Sequence, residues 1–207
     1  MSLRPILGLG HYLQTEEVSG ARAGEFHHKI VLAATQLERQ LDALAEYTKL
    51  CLRVPRREAV DLKRLLPTVV GEELAKFRLG EECVELAGRM GSVLADRAIL
   101  KLVFRELIDN ALLFTRADQP ARVKVSCQPQ GDRLETTIQD FGPGIPADCL
   151  PLLGKPFQRF HPQTAGGDGL GLGLTRVTRG LAALGGRLRC LSQVGQGSSF
   201  LVCLRTA

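Results

Sequence analysis

Three short segments of the chain pair residue types with spacings that could do chemistry. The first is Glu106-Leu107-Ile108-Asp109-Asn110-Ala111. On a helix, Glu106 and Asn110 stand four apart and share one face, while Leu107, Ile108 and Ala111 can turn to a core. A carboxylate and an amide so placed could orient water and Mg²⁺ beside a phosphate chain. Taken alone, the segment equally fits an exposed polar stripe on a half-buried helix. The second is Asp140-Phe141-Gly142-Pro143-Gly144-Ile145-Pro146. Its two glycines let the backbone turn sharply and approach a flat ligand, and Asp140 could accept from an exocyclic amine such as adenine's. An ordinary strand-ending turn uses the same residue types. The third, Gly166-Gly167-Asp168-Gly169-Leu170-Gly171-Leu172-Gly173-Leu174, opens onto a helix. Backbone amides there could cradle phosphate, with the leucines anchoring the loop to a core. The segment lacks the Gly-Lys-Ser/Thr ending of a P-loop. It also comes too late in the chain for a dinucleotide fingerprint.

These segments need elements to hold them. The first third of the chain reads as helical: Pro5 at a first turn, then Ile6, Leu7, Gly10 and Leu13. Ser19 to Gly24 breaks that pattern, and a longer helix is expected from Glu25. Ile30, Ala34, Leu37, Leu41, Leu44, Thr48 and Cys51 form a heptad seam on it, which predicts pairing into a four-helix bundle with a second copy. That helix ends near Arg53-Val54-Pro55. Strands and helices then alternate. A strand over Arg57 to Val60 leads to Asp61 as N-cap of a helix reaching about Phe77, with a kink or break at Pro67. Strands follow at Cys83 to Ala87 and Ser92 to Ala95. Asp96 caps an apolar helix, Ile99 to Phe114. Strands at Ala121 to Gln128 and Arg133 to Gln139 flank a Pro129-Gln130-Gly131-Asp132 turn. A helix to Leu184 stops at Gly185-Gly186, and strands Arg187 to Ser192 and Ser198 to Arg205 close the chain. The class is α+β, a mixed sheet with helices on one face.

Composition narrows the function. With 44% hydrophobic and 24% charged residues, the chain has ordinary globular usage, which excludes disorder. No apolar run approaches the ~20 residues of a membrane helix, and the start has no apolar h-region of a secretion signal. Six scattered cysteines and four histidines make no zinc pattern, so a reduced cytoplasmic setting is expected. A net charge of +5 invites nucleic acid. Scattered arginines and scarce aromatics argue against it and leave an acidic ligand or partner.

In order and spacing the three segments together resemble the ATP-binding domain of sensor histidine kinases, within the GHKL ATPase superfamily. The first resembles the N box, Asp140-Phe141-Gly142-Pro143-Gly144 the first glycine box, and Gly169-Leu170-Gly171-Leu172-Gly173-Leu174 the second. Lys155-Pro156-Phe157-Gln158-Arg159-Phe160 resembles the F box of the mobile lid. Gly195-Gln196-Gly197-Ser198-Ser199-Phe200 resembles the closing Gly-x-Gly-Ser/Thr-x-Phe, and Leu94-Ala95-Asp96 the entry to the N-box helix. The likeness covers about residues 57–205. It implies a Bergerat-type two-layer α/β sandwich over residues 55–207, preceded by a dimerisation and phosphotransfer-like hairpin over residues 1–54. It also implies a lid over roughly Pro146 to Gly167. By the same resemblance Asn110 holds Mg²⁺ and phosphate oxygens, Asp140 reads adenine, and Gly169, Gly171 and Gly173 surround the phosphates. Glu106 polarises the attacking nucleophile. The implied ATP-binding set also takes in Gly142, Gly144, Ile145, Phe157, Arg159, Leu170, Leu172 and Ser198. One departure is Leu112-Leu113, where the family often carries Lys or Arg near phosphate; Arg116 is a candidate substitute.

The implied function is the kinase core of a two-component sensor histidine kinase. It binds ATP and Mg²⁺ and transfers the γ-phosphate to a histidine of the hairpin, for relay to an Asp of a response-regulator receiver domain. Partners are a second copy through the hairpin, the receiver domain and an upstream sensor domain, with membrane tethering, if any, upstream. Leu3-Arg4-Pro5-Ile6-Leu7-Gly8 resembles the tail of an H box, which places the acceptor histidine at or before Met1. Of the histidines present, His27 falls on the seam and His161 in the lid. His28 and His11 are the least unsuited as acceptors. A non-catalytic adaptor that binds receiver domains is the alternative, and the glycine boxes argue against it. Other superfamily ATPases, such as an anti-sigma-factor serine kinase, lack a reason for the heptad hairpin.

Overall fold

The computed structural model describes residues 21–114, 122–158 and 171–207. Its helices are α1 (Ala21–Leu52), α2 (Leu62–Phe77), α3 (Arg97–Leu113) and α4 (Gly173–Leu184). Its strands are β1 (Glu58–Asp61), β2 (Val84–Gly88), β3 (Ser92–Ala95), β4 (Val123–Gln130), β5 (Arg133–Asp140), β6 (Arg187–Gln193) and β7 (Gly197–Arg205). A boundary between Glu46 and Tyr47 divides the chain into two compact units.

In the N-terminal unit α1 already includes Ala21 to Gly24, where the sequence predicts a break. Alanine is the strongest helix former and the exposed Gly24 costs only about 1 kcal/mol, which a long helix absorbs. Lys29 adds an ion pair to Glu25 one turn back, at 2.6 Å. Ile30 and Leu37 of the seam are half-buried, whereas Leu41 and Leu44 are 59% and 45% exposed. The first helix of the expected hairpin, Pro5 to Leu13, lies outside the described residues, as does His11; His28 is exposed on α1.

The second unit is a mixed five-stranded sheet in the order β2-β4-β5-β7-β6, with β2 and β4 parallel and the other pairs antiparallel. Along β5, Leu134, Thr136, Ile138 and Asp140 are buried and their neighbours half-buried, so one face meets the helices. Inward residues of β4 and β7, among them Val123, Val125, Phe200 and Val202, continue that face. Helix α3 fills the core with Leu100, Phe104, Leu107 and Ile108, all fully buried. Helix α4 packs on it where Gly180 meets Ile99 and Val103; a Cβ there would stand 3.1 Å from each. The small sheet β1-β3 sits beside this core, paired antiparallel. All six cysteines are free thiols.

Two local expectations change. Helix α2 begins after its Asp61 cap and runs unbroken through Pro67. Pro67 is exposed, and the carbonyl it leaves without a donor, on Lys63, is at an exposed position where water can serve it. Strand β4 continues to Gln130, so the hairpin turn is only Gly131-Asp132, with Gly131 at φ 63°. Pro129 is tolerated inside the strand because β2 ends opposite Cys127, leaving no partner there to need its N–H.

Asp96 secures the start of α3. Its Oδ1 accepts from the Ala98 and Ile99 N–H groups as an N-cap. Its Oδ2 accepts from the Arg56 N–H at 3.0 Å, and the Arg53 guanidinium grips both oxygens at 2.9 and 3.0 Å. Burial alone would raise this carboxyl, but those donors together hold it below the ordinary aspartate range. The segment that leaves α1 is thereby tied to the helix bearing Glu106 and Asn110.

Candidate active site

Asp140 ends β5 in a buried position. Its Oδ1 accepts from the Gly142 N–H at 2.9 Å and the Ser198 N–H at 3.1 Å. Two backbone donors from different segments therefore aim one carboxylate, which a flexible surface aspartate would lack. The glycines around it are demanded by space. A Cβ on Gly142 would collide with the Phe114 carbonyl at the end of α3, and one on Gly144 with the Gln193 carbonyl. Gly144 also sits at φ 71°. The Gly195 N–H closes onto the Pro143 carbonyl at 2.8 Å. Ser192 ties the corner together: its hydroxyl accepts from the Ile145 N–H, donates to the Gly197 carbonyl at 2.9 Å and meets the Ser198 hydroxyl at 3.0 Å. Cys190, on the helix-facing side of β6, has its thiol pushed up to about 11 by burial and by the Asp140 charge.

The other end is built by α3 against the start of α4. A Cβ on Gly173 would stand 2.9 Å from Glu106 Oε2 and 3.7 Å from Asn110 Nδ2. A carboxylate, an amide and a helix N-terminus thus converge at Gly173. The first backbone bond of α4 runs from the Arg176 N–H to the Leu172 carbonyl, and Leu172 gives no side-chain cap. The amides of Gly173, Leu174 and Thr175 thus have no helical partner, as at any helix start. Thr175 Oγ1 is buried there without a hydrogen-bond partner among the described residues. Glu106 is met by Arg176 Nη2 at 3.1 Å from both carboxylate oxygens, and by Arg105 at 3.6 Å. Burial pushes the Glu106 carboxyl above the ordinary glutamate range, although both arginines pull it down and Asp109 adds to the rise. Asp109 is itself held by Lys76 of α2, which also lies 3.4 Å from Glu73.

The residues named from sequence therefore fall into these two groups. Glu106, Asn110 and Gly173 come together at one end; Asp140, Gly142, Gly144, Ile145 and Ser198 form the other. Phe114 joins them by touching Gly142. Leu172 is buried, and Gly171, at φ 69°, is pressed against the Gln158 carbonyl of the F-box segment. Phe157 is 62% exposed with a left-handed φ of 64°, uncommon for a side chain of its size. Arg159, Gly169, Leu170 and Arg116 lie outside the described residues, as does most of the glycine-rich run before Gly171. Sequence reading missed Arg176, Ser192 and Cys190. A signal for Arg176 was present, since a cation in the first turn of a helix opposes the dipole and needs a reason to be there.

Residues 95–207 match a family described as histidine kinase-, DNA gyrase B-, and HSP90-like ATPases, which spans both ends of this site. The chain belongs to that family. Within it, the chain is an ATPase core of the sensor-histidine-kinase kind in the GHKL superfamily. It is 34% identical over 139 residues to an uncharacterized sensor-like histidine kinase of Rhizobium meliloti, covering 64% of this chain and 26% of the relative. It is 27% identical to the sensor histidine kinase AtsR of Burkholderia thailandensis, covering 83% of this chain and 30% of AtsR. The chain thus spans about a quarter to a third of these relatives. The Acinetobacter baumannii histidine kinase AdeS superposes with a TM-score of 0.62 at 25% identity, over 98% of this chain and 95% of that one. Full-length ShkA, solved in complex with AMPPNP, shares the fold with a TM-score of 0.68 at 22% identity, over 99% of this chain and 43% of that one. No described helix is long and apolar enough to cross a membrane.

Proposed function

We propose that this chain is the kinase core of a two-component sensor histidine kinase. It binds ATP between the Asp140 and Glu106 ends and transfers the γ-phosphate to a histidine of the helical hairpin. The convergence of Glu106, Asn110 and the α4 N-terminus at Gly173 carries the reading, because a helix start beside a carboxylate and an amide suits a phosphate chain and its cation. Residues 55–207 supply the nucleotide site and residues 1–54 the hairpin, which pairs with a second copy.

The chemistry follows from placement. Asp140, aimed by Gly142 and Ser198, accepts the exocyclic amine of adenine, with Gly144, Ile145 and Ser198 shaping the pocket. Phosphate oxygens take the α4 amides, with Gly169 and Gly171 close by; Leu170 and Leu172 anchor that loop. Phe157 and Arg159 belong to the lid that closes over the nucleotide. Among the described residues no three carboxylate, histidine or cysteine side chains gather as metal ligands. Asn110 would hold a Mg²⁺ that arrives with the nucleotide. When bound it neutralises charge on the phosphate chain. Glu106, its carboxyl raised by burial, accepts the imidazole proton as the imidazole nitrogen bonds to γ-phosphorus and the bond to the β–γ bridging oxygen breaks. ADP leaves and phosphohistidine remains, for relay to the Asp of a receiver domain.

Incubating the full-length protein with ATP labelled at the γ-phosphorus tests this. Acid-labile, alkali-stable label on the protein is expected. Saturable ATP binding without any label refutes the kinase reading.

A further inference from the structure

The strongest observation outside that account is the ion pair between Arg176 and Glu106. The two residues are 70 positions apart, on α4 and α3, and their side chains are only 13% and 11% exposed. One guanidinium nitrogen sits 3.1 Å from each carboxylate oxygen. A carboxylate so engaged is a poorer proton acceptor than the same buried carboxylate without the guanidinium. The same guanidinium lies one residue beyond the three helix-start amides, on the element whose N-terminus faces Asn110. Helix α3 has no basic residue in its last turn, whereas α4 carries Arg176 near its start.

We propose that Arg176 is a nucleotide-operated latch: without ATP it holds Glu106, and a terminal phosphate at the α4 N-terminus draws the guanidinium away and frees Glu106 to accept a proton. This rests on the reading of the site as an ATP site and deepens it. The exchange is balanced in kind, because a guanidinium forks onto phosphate as well as onto carboxylate. It also gives the catalytic group a reason to stay masked while the site is empty. The charges around Glu106 set the sign. Arg176 from α4 and Arg105 from its own helix favour the ionised form; Asp109 opposes it. Helix α2 contributes Lys76 and Glu73, which bear on Asp109. Inward residues of β4 and β5 add only Cys127 and Asp140 as titratable groups. Departure of Arg176 therefore removes the largest influence that keeps Glu106 ionised, and its affinity for a proton rises as ATP binds.

Calorimetric titration of Arg176→Gln with ATP and with ADP, alongside pH profiles of phosphoryl transfer in the full-length protein, tests the latch. Because the wild type gives up the pair with Glu106 in exchange, ATP affinity falls by at most the roughly 10- to 100-fold of a lost charged hydrogen bond, with a smaller loss for ADP. In the wild type the acid limb of kcat lies at higher pH than that of kcat/KM, which reports the free enzyme. In Arg176→Gln the limb of kcat/KM moves up to meet it and the limb of kcat stays. Arg176→Lys, which keeps the charge but not the fork, falls between and decides the matter if Arg176→Gln does not fold. Equal losses for ATP and ADP with both limbs unmoved would make Arg176 structural and overturn the latch. Wild-type protein that binds no ATP in the same titration defeats the ATP reading instead, so the two failures are distinct.

Discussion

The two ends of the site are held by different forces. At the Asp140 end the carboxylate is fixed by backbone N–H groups, Ser192 binds three segments, and glycines with left-handed or crowded backbones close the gaps. Nothing there has to move for a ligand to be read. At the Glu106 end the groups are held by opposite charge: Arg176 and Arg105 on Glu106, Lys76 on Asp109. Backbone bonds cost much to rearrange, whereas a guanidinium can exchange one anionic partner for another. In the function proposed above, recognition falls to the first end and switching to the second.

Variants can break that contrast, beginning with the largest effect. Glu106→Gln lowers phosphoryl transfer by roughly 10²- to 10⁴-fold, the usual range for a general base, while ATP affinity measured by calorimetry stays within a few-fold. A matching loss of binding would mean that the Glu106 end also recognises. Asp140→Ala does the reverse, weakening ATP binding by roughly 10- to 100-fold through a lost charge-assisted hydrogen bond. It should also erase preference for ATP over GTP. Preference that survives would take base recognition away from this end. Gly144→Ala adds a Cβ against the Gln193 carbonyl at a left-handed φ, and costs about 1–3 kcal/mol in urea unfolding. A neutral outcome would show the Asp140 end to be softer than its packing implies.

The smallest effects are in pH. The Asp96 carboxyl is lowered, so its contribution to stability is whole above the ordinary aspartate value of about 3.9 and is lost as pH falls through the lower folded value. Glu106 is raised, and its sign is opposite. Its contribution is whole below the ordinary glutamate value and is lost as pH rises through the folded one. Denaturant midpoints against pH should therefore flatten on the acid side in Asp96→Asn and on the rising side in Glu106→Gln. Curves unchanged in both would contradict the environments assigned to them.

Much of the frame could be read locally. Asp61 and Asp96 announce their helices because a cap satisfies amides two and three residues on, and Gly185 ends α4 because only a left-handed residue closes it, at φ 72°. Glu106 and Asn110 were visible as one helical face. The partners that give them chemistry were not. Arg176 reaches Glu106 only through the packing of α4 on α3, and Ser192 meets Ile145 only because β6 lies beside β7. Pro129 misled for the same reason: whether a proline breaks a strand depends on how far the neighbouring strand extends. Helix α1 also misled, because Ser19 to Gly24 looks like a break, whereas Ala21 to Gly24 belong to the helix that continues to Leu52.

The proposed function requires that two ends so differently held form one nucleotide site. Amide chemical-shift mapping of the chain during titration with Mg²⁺ and a non-hydrolysable ATP analogue tests it most directly. Shifts at Gly142, Gly144 and Ser198 and at Asn110, Gly173 and Thr175 should follow one saturation curve. Shifts confined to one group, or two curves with different midpoints, would contradict it.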